Sequence, residues 1–285
     1  MEKGIRHILT VDFEEWFHGL DIPYENWCSY ESRIEQNTET LLQIFEECGV
    51  RATFFVVADI ADKFPYLVRM IHDAGHEIGS HGYIHQRYTQ ISPEEIREDI
   101  NKSIQKIACI TGEHPMGFRA PCFSLNEGNS WILDYLIEND IRYDSSLFPI
   151  KLDRYGVSTN RTSPHVIRKK SGAIWEFPIT PCRFGLIKIP FAGGAYFRLC
   201  PFCLMKKMFD WTARQQKVVT FYIHPWELDD KQPVIRIPLR LKWTHYTGLG
   251  KFEKKLRKLL HIYPFGPIRD YLESSHDASL LTQGI

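Results

Sequence analysis

His81 and His85 stand four residues apart in the segment Ser80-His-Gly-Tyr-Ile-His85. On a helical turn or a compact loop, side chains at i and i+4 can converge on one ion. Zinc takes imidazole nitrogen and carboxylate oxygen readily. With twelve histidines in the chain, the spacing alone says little. Its position says more, because the pair follows a short strand pattern at Gly79-Ser80, and Gly82 can relax the turn. Far upstream, Asp12, Glu14 and Glu15 close the apolar run Ile8 to Val11. Strand alternation puts Asp12 and Glu14 on one face, with Phe13 and Glu15 on the other. Glu14 is then the favoured acidic ligand. Asp12 is placed to take a proton from water that a metal has acidified towards ~7. Either carboxylate can bind the ion, and the plain alternative is a capped turn of acids beside Arg119.

A third histidine, His224, follows the apolar run Val218 to Ile223 and precedes Pro225. Facing the same site, it can protonate a leaving nitrogen. Facing away, it is a packing histidine. Arg119, in Gly117-Phe-Arg-Ala-Pro121, carries a rigid fork that can hold Asp12 charged. Asp144 follows another apolar run and can orient a histidine or a sugar hydroxyl, or cap a turn. This inventory of two paired histidines, two acids and a distant histidine suits metal-assisted hydrolysis.

Elements that alternate along the chain must position these groups. Strands are expected at Ile8 to Val11, Ala52 to Val57, His76 to Gly79, Met116 to Ala120, Ile141 to Tyr143, Trp175 to Ile179 and Val218 to Ile223. Helices are expected over Ser32 to Cys48, with Gly49 as its stop, and from Phe64-Pro65 to Gly75. A third begins at Ser92-Pro93-Glu94-Glu95, where Ser92 caps and Glu95 closes the capping box, and runs to about Cys109. Others are expected over Ser130 to Glu138 and from near Pro201. Repeated strand–helix units favour parallel strands with right-handed crossovers. Polar groups just after strand ends are the pattern of an α/β barrel.

Composition bounds the rest. With 285 residues, one barrel-sized α/β domain spanning residues 1–285 is expected. Lys plus Arg equals Asp plus Glu at 35 each, which gives no basic field for nucleic acid. No window reaches membrane-span length, and the apolar run between Arg6 and Asp12 is too short for a targeting core. The chain therefore reads as cytoplasmic. Seven scattered cysteines form no disulfide framework, and Cys200 and Cys203 make a lone CxxC that reads as ordinary thiols. Residues 151–171 are polar and read as an excursion over the barrel. Lys251 to Leu260 is a basic amphipathic helix, with Phe252, Leu256, Leu259 and Leu260 on one side. It is expected to pack on the domain, with peripheral membrane association as the alternative.

The ordered set Leu9-Thr-Val-Asp-Phe-Glu-Glu-Trp-Phe-His18, Ser80 to His85, Gly117 to Pro121, Tyr143-Asp-Ser-Ser146, Gly193 to Arg198 and Phe221 to Asp229 resembles the polysaccharide deacetylase family. This is the NodB-homology group, or carbohydrate esterase family 4. It is most similar to members encoded with exosortase or exopolysaccharide gene clusters. His245-Tyr-Thr-Gly-Leu-Gly250 and the basic helix resemble their C-terminal extension, here about 230–274. The resemblance covers about residues 5 to 265 and implies a distorted (β/α) barrel of about seven strands. It implies metal-dependent removal of acetyl groups from an N-acetylated glycan or a lipid-linked sugar precursor, at the inner face of the membrane in the latter case. It also implies a divalent metal, usually zinc, on His81 and His85, with Asp12 as base and His224 as acid. The family's adjacent aspartate pair is absent, since Phe13 follows Asp12, and the Asp-x-Asp spacing of related enzymes matches Glu14. A backbone amide near Tyr143 would share in oxyanion stabilisation. Trp16, Phe17, Tyr196, Phe197 and Trp226 are candidate sugar walls or core. Tyr143 joins them as a substrate-binding candidate. Arg198 would meet an acidic sugar or steady the excursion. The other readings are hydrolysis of a cyclic imide or ureide, and non-catalytic carbohydrate binding.

Overall fold

The computed structural model describes residues 7–152 and 155–274. In chain order its elements are β1 (His7–Phe13), α1 (Ile34–Cys48), β2 (Thr53–Val56), α2 (Ala58–Lys63), α3 (Pro65–Asp73) and β3 (Glu77–Ser80). Then come α4 (Pro93–Thr111), β4 (Gly117–Phe118), α5 (Trp131–Glu138), β5 (Tyr143–Asp144), β6 (His165–Lys169) and β7 (Gly172–Glu176). The C-terminal part adds β8 (Cys182–Phe184), β9 (Ile187–Ile189), α6 (Gly194–Leu199), α7 (Phe202–Gln216), β10 (Thr220–Ile223), α8 (Leu239–Tyr246), α9 (Phe252–Ile262), β11 (Phe265–Gly266) and α10 (Ile268–Ser274). No helix among the described residues is long and apolar enough to cross a membrane.

One sheet runs in the order β10-β1-β2-β3-β4-β5-β7-β6, and β11 also pairs with β1. All of its pairings are parallel except the β6–β7 hairpin at one end. The seven parallel strands from β10 to β7 are the number that the sequence suggests for a barrel. The sheet curls until the segment after β7 meets β10, where the Thr180 amide donates to the Thr220 carbonyl at 3.2 Å. The Thr220 amide returns a bond to Thr180 Oγ1 at 2.8 Å, so closure rests on a few bonds rather than a full ladder. This is an α/β fold with a mixed sheet and flanking helices, a barrel in its curvature and distorted at its seam.

The strands β1, β2 and β3 are buried at every position, as expected of parallel strands covered on both faces. Local signals set the helices over them. Ser92 and Glu95 form the capping box of α4, Pro93 fills its first turn, and Gly49 ends α1 at φ 63°. The segment 151–171 is partly sheet, because β6 lies within it and pairs with β7 along the edge. A second hairpin, β8–β9, has no counterpart in the sequence reading. In α9 the apolar residues Phe252, Leu256, Leu259 and Leu260 all sit in the core, so this helix offers its charged side to solvent.

Candidate metal centre and active site

Strand β1 delivers the first corner. Asp12 and Glu14 both line one cleft, while Phe13 is in the core. Glu15 turns the other way and accepts the Arg33 amide at 3.2 Å and the Ser32 hydroxyl, at the start of α1. The alternation of the strand continues through the acidic cluster and sorts its three members.

The second corner is the loop after β3. The His81 amide extends the strand pairing to the Val56 carbonyl at 2.9 Å. The Gly82 and Tyr83 carbonyls then accept the first amides of α2, from Ala58 and Asp59. Half-buried Asp99, on α4, holds the loop from below. It accepts the Tyr83 amide at 3.0 Å, the Ile84 amide at 2.8 Å and the Tyr88 hydroxyl at 2.6 Å. Gly82 lies at φ 75°, and a Cβ there would stand 2.6 Å from Asp99 Oδ2, so glycine is required. The result is a loop that turns His81 and His85 to the same point. One ligand atom from each of Glu14, His81 and His85 falls within 4.8 Å of the others, and all three residues are buried. His81 Nδ1 meets the Arg119 carbonyl at 2.7 Å, which leaves Nε2 as the free donor. A carboxylate and two imidazoles with one imidazole braced from behind fit a divalent cation. The donor set does not choose among zinc and its neighbours.

Arg119 stands behind Asp12. Its Nη1 donates to Asp12 Oδ1 at 2.5 Å, its Nη2 to Ser145 Oγ at 2.7 Å and its Nε to the Ser145 carbonyl at 3.0 Å. The guanidinium also lies 4.3 Å from the Phe55 ring centroid. The fork is fully buried, and each of its three nitrogens has a partner.

The third corner follows β10. His224 caps a short 3-10 turn over Pro225–Leu228, in which Glu227 Oε2 takes the His224 amide at 3.0 Å and lies 3.3 Å from His224 Nδ1. The other oxygen of Glu227 accepts Arg198 Nε at 2.7 Å. Arg198 spends its remaining donors on the carbonyls of Thr244, His245 and Thr247 in the C-terminal segment. With Nδ1 held, His224 Nε2 points into the cleft, 4.0 Å from Asp12 Oδ2 and 3.6 Å from Glu14 Oε1. Trp226 stacks between His224 and His245 at 4.9 and 4.4 Å, and its Nε1 donates to Glu14 Oε1 at 3.2 Å.

The charges of these groups depend on one another. Burial works against ionised Glu14, but His85 at 2.8 Å, then His224 and His18, hold it well below the usual carboxylate range. Burial likewise works against a charged His85, and Glu14 with Cys122 carries its pKa well above the ordinary value. His81 has weaker compensation, and burial takes it down to about 4, so it is neutral and ready to donate a lone pair. For His224, burial is outweighed by the Glu227 hydrogen bond and the charges of Glu14, Glu227 and Asp12, which raise it. The cleft thus holds a braced neutral imidazole and an imidazole whose neighbours favour its protonated form.

The cleft has a volume of about 470 Å³ and brings together Asp12, Glu14, His81, His85 and His224, with Tyr196, Arg198 and Trp226 in its walls. Several expectations change. Trp16 is fully buried, with Nε1 tied to the Glu31 carbonyl at 3.0 Å, and does not line the cleft. Phe17 and Phe197 are likewise buried packing residues. Tyr143 is buried beneath the sheet, and its amide is committed to the Met116 carbonyl at 3.2 Å. The Ser145 and Ser146 amides are taken by Phe118 O and Asp144 Oδ2, so none of these three amides is left for an oxyanion. Asp144 is also buried outside the cleft, where it binds Ser146 and faces Glu176 on β7. Arg198 lines the cleft, but its guanidinium is committed to Glu227 and three carbonyls of the C-terminal segment, none of them in 151–171.

Sequence reasoning missed Glu227, Asp99 and Cys122. Glu227 had a readable signal, as it lies three residues beyond His224 in a capping-box spacing. Cys122, at φ 54° and 4.0 Å from His85 Nδ1, had none.

Residues 24–136 match the family model described as Polysaccharide deacetylase, and residues 145–273 match a Domain of unknown function (DUF3473). A peptidoglycan deacetylase of Helicobacter pylori is 26% identical over 207 residues, which cover 65% of this chain and 69% of that protein. A peptidoglycan deacetylase-like protein of Gibberella zeae is 29% identical over 153 residues, covering 53% of this chain and 44% of its own length. The chain thus spans less than half of that relative. Among solved structures, one described as a polysaccharide deacetylase from Mycobacterium smegmatis superposes with a TM-score of 0.63 at 17% identity, covering 98% of this chain and 94% of that one. An allantoinase gives 0.60 at 16% identity, covering 95% and 90%. A CE4-family pseudoenzyme from Bacillus anthracis gives 0.50 at 15% identity, covering 95% and 66%. At these identities the structural likenesses speak to the fold alone.

Proposed function

We propose that this member of the NodB-homology polysaccharide deacetylase family, with its added C-terminal domain of unknown function, is a divalent-metal-dependent N-deacetylase of an N-acetylated glycan. The observation that carries the reading is one cleft holding a Glu–His–His donor set, an arginine-held carboxylate and a carboxylate-held imidazole. Adhesion to a sugar requires none of these. The presence of the complete set is what supports this reading over a degenerate, non-catalytic site.

A cation on Glu14, His81 and His85, zinc in this reading, would supply Lewis acidity at the amide carbonyl. Asp12 takes a proton from the water that adds to the acetyl carbon, and Arg119 holds that carboxylate in place through Oδ1. As the carbon–nitrogen bond breaks, His224 gives its Nε2 proton to the departing amine. Glu227 holds Nδ1 and stabilises the imidazolium beforehand. The products are acetate and a free amino sugar. Tyr196 and Trp226 offer aromatic walls to the sugar. We infer that the glycan is an exopolysaccharide or its lipid-linked precursor, which would put the chain in the cytoplasm and, for the precursor, at the inner membrane face. The continuous sheet supports reading the chain as one domain, with 151–171 and 230–274 as its elaborations.

The test is acetate release from N-acetylated sugar oligomers, expected to stop on chelation and return with a divalent ion. Bound metal and undiminished acetate release in a His81→Ala, His85→Ala double variant would sink the reading. The allantoinase likeness favours a second reading, opening of a cyclic ureide. Ring opening of allantoin without acetate release from any N-acetylated sugar would favour it instead.

A further inference from the structure

Away from the cleft, the β8–β9 hairpin turns an apolar face to solvent. Its register pairs Cys182 with Ile189, Arg183 with Lys188 and Phe184 with Ile187. Alternation therefore gathers Cys182, Phe184, Ile187 and Ile189 on one face, with Cys182 seated in the core and the other three exposed, and puts the two cations on the other face. Phe184 is 44% exposed, Ile187 65%, and Leu186 in the turn 94%. A two-stranded ribbon is marginal alone. This one leans on α7, where Phe184 stacks on Trp211 at 5.3 Å and Trp211 Nε1 donates to the Arg183 carbonyl at 2.8 Å. On α7, Leu204, Lys207, Trp211 and Arg214 follow at helical spacing, and all four are exposed, so apolar and basic side chains alternate along one stripe.

A polar hollow of about 590 Å³ shares Arg183 with this surface. Arg161, Ser163, His165, Gln216 and Lys217 also line it, and no acidic side chain does among the described residues. Both polar atoms of the Gln216 side chain are buried without a hydrogen-bond partner among the described residues. An unsatisfied amide among cations is a place for an oxyanion ligand.

We propose that this face docks on an anionic lipid bilayer. The tip Leu186–Ile187 enters the boundary between headgroups and acyl chains, Trp211 sits at the headgroup level, and Arg161, Arg183 and Lys217 take a lipid phosphate in the hollow. Apolar residues interleaved with cations of one sign suit a bilayer, where long basic side chains reach phosphates while their stems stay in the apolar layer. A protein partner would more commonly be met by mixed charge around a dry apolar centre. The hairpin also leads to the cleft. From Ile189 the chain reaches Gly194, a cleft-wall residue, in five residues, which span at most about 18 Å when extended. Docking therefore brings the cleft wall close to the membrane surface. The proposal does not depend on the reaction in the cleft.

Vesicle flotation of the full chain tests it, with phosphatidylcholine vesicles compared with vesicles that also contain phosphatidylglycerol. Binding is expected to the anionic vesicles, and to weaken as salt rises and the Debye length falls from about 10 to about 3 Å. Replacing Leu186→Ser with Ile187→Ser, or Arg183→Gln with Lys217→Gln, should each lower the vesicle partition coefficient by about tenfold or more. These positions are at the surface, so an unchanged circular dichroism spectrum is expected. The control pair Lys254→Gln and Lys258→Gln, on the solvent side of α9, should leave binding unchanged. No binding to anionic vesicles, or full binding by both double variants, overturns the proposal. So does equal loss in the α9 control. So, too, does self-association in light scattering that the hairpin variants abolish, with no vesicle binding at all.

Discussion

Replacing Glu227 with glutamine isolates the group behind the proposed acid. Glu227 is fully buried, and the substitution keeps its shape while removing its charge. Glutamine can still accept the His224 amide but loses the charge-assisted bond to Nδ1, a bond worth about 1.5–3 kcal/mol. If most of that loss falls on the transition state, kcat/KM drops by about 10²-fold, since each tenfold is about 1.36 kcal/mol. The pH profile should move as well. Burial lowers the His224 pKa, and the hydrogen bond and charge of Glu227 are among the effects that raise it. Removing them lowers it. An acid must hold its proton, so activity fails as pH rises through that pKa, and the alkaline limb of kcat/KM should move to lower pH. A cation on Glu14 takes up that carboxylate's charge, which makes Glu227 the larger remaining support. The measurements are acetate release against pH, metal stoichiometry, and nuclear magnetic resonance titration of the His224 ring. Arg198 retains three carbonyl acceptors, so the stability loss should fall at or below the lower end of the ~3–5 kcal/mol for a broken buried pair. An unmoved alkaline limb with a rate within about threefold of wild type, at full metal occupancy, would refute the assignment.

Asp99→Ala should strip the histidine loop of its support, leaving the Tyr83 and Ile84 amides without their acceptor. Zinc affinity measured by calorimetric titration should fall about 10–100-fold. Arg119→Met should cost about 3–5 kcal/mol in urea unfolding because Asp12 stays buried without its cation, and Arg119→Lys should recover only part of it for want of the fork. Glu176→Gln should flatten the pH dependence of stability. Burial raises the pKa of Asp144, and burial with the Asp144 charge raises that of Glu176 well above its usual value. The folded chain therefore keeps a proton that the unfolded chain releases near pH ~4. Stability falls as pH climbs from there through the raised folded pKa, and urea midpoints of the variant should lose that decline.

Period-two alternation made the β1 corner legible. It separated Asp12 and Glu14 from Glu15 before any contact was known, and the structure sends Glu15 to the start of α1. The capping box of α4 and the stop at Gly49 are equally local, so they too could be read. Depth could not. Trp16 lies just past β1, and Tyr143 and Asp144 form β5, so all three stand near strand ends as the cleft residues do, yet all three are fully buried and line no part of the cleft. Arg198 misled for a related reason, since its partners lie 29 to 49 positions away in sequence. The hairpin β8–β9 lacked a periodic signal because its exposed apolar residues break the usual inside–outside pattern.

The pairing of β10 with β1 has a consequence for how the molecule comes to exist. Ile8 lies opposite Thr220, and the bond from Trp226 to Glu14 spans 212 positions, so the cleft joins the two ends of the chain. The two family matches meet inside this sheet, with the paired histidines in one and His224 in the other. Contacts of such long sequence separation are the slow ones to form. A nascent or truncated chain ending before β10 would hold His81 and His85 but lack the proton donor and the tryptophan that fixes Glu14. The cleft is thus completed only when β10 joins β1, long after the histidine loop has been made.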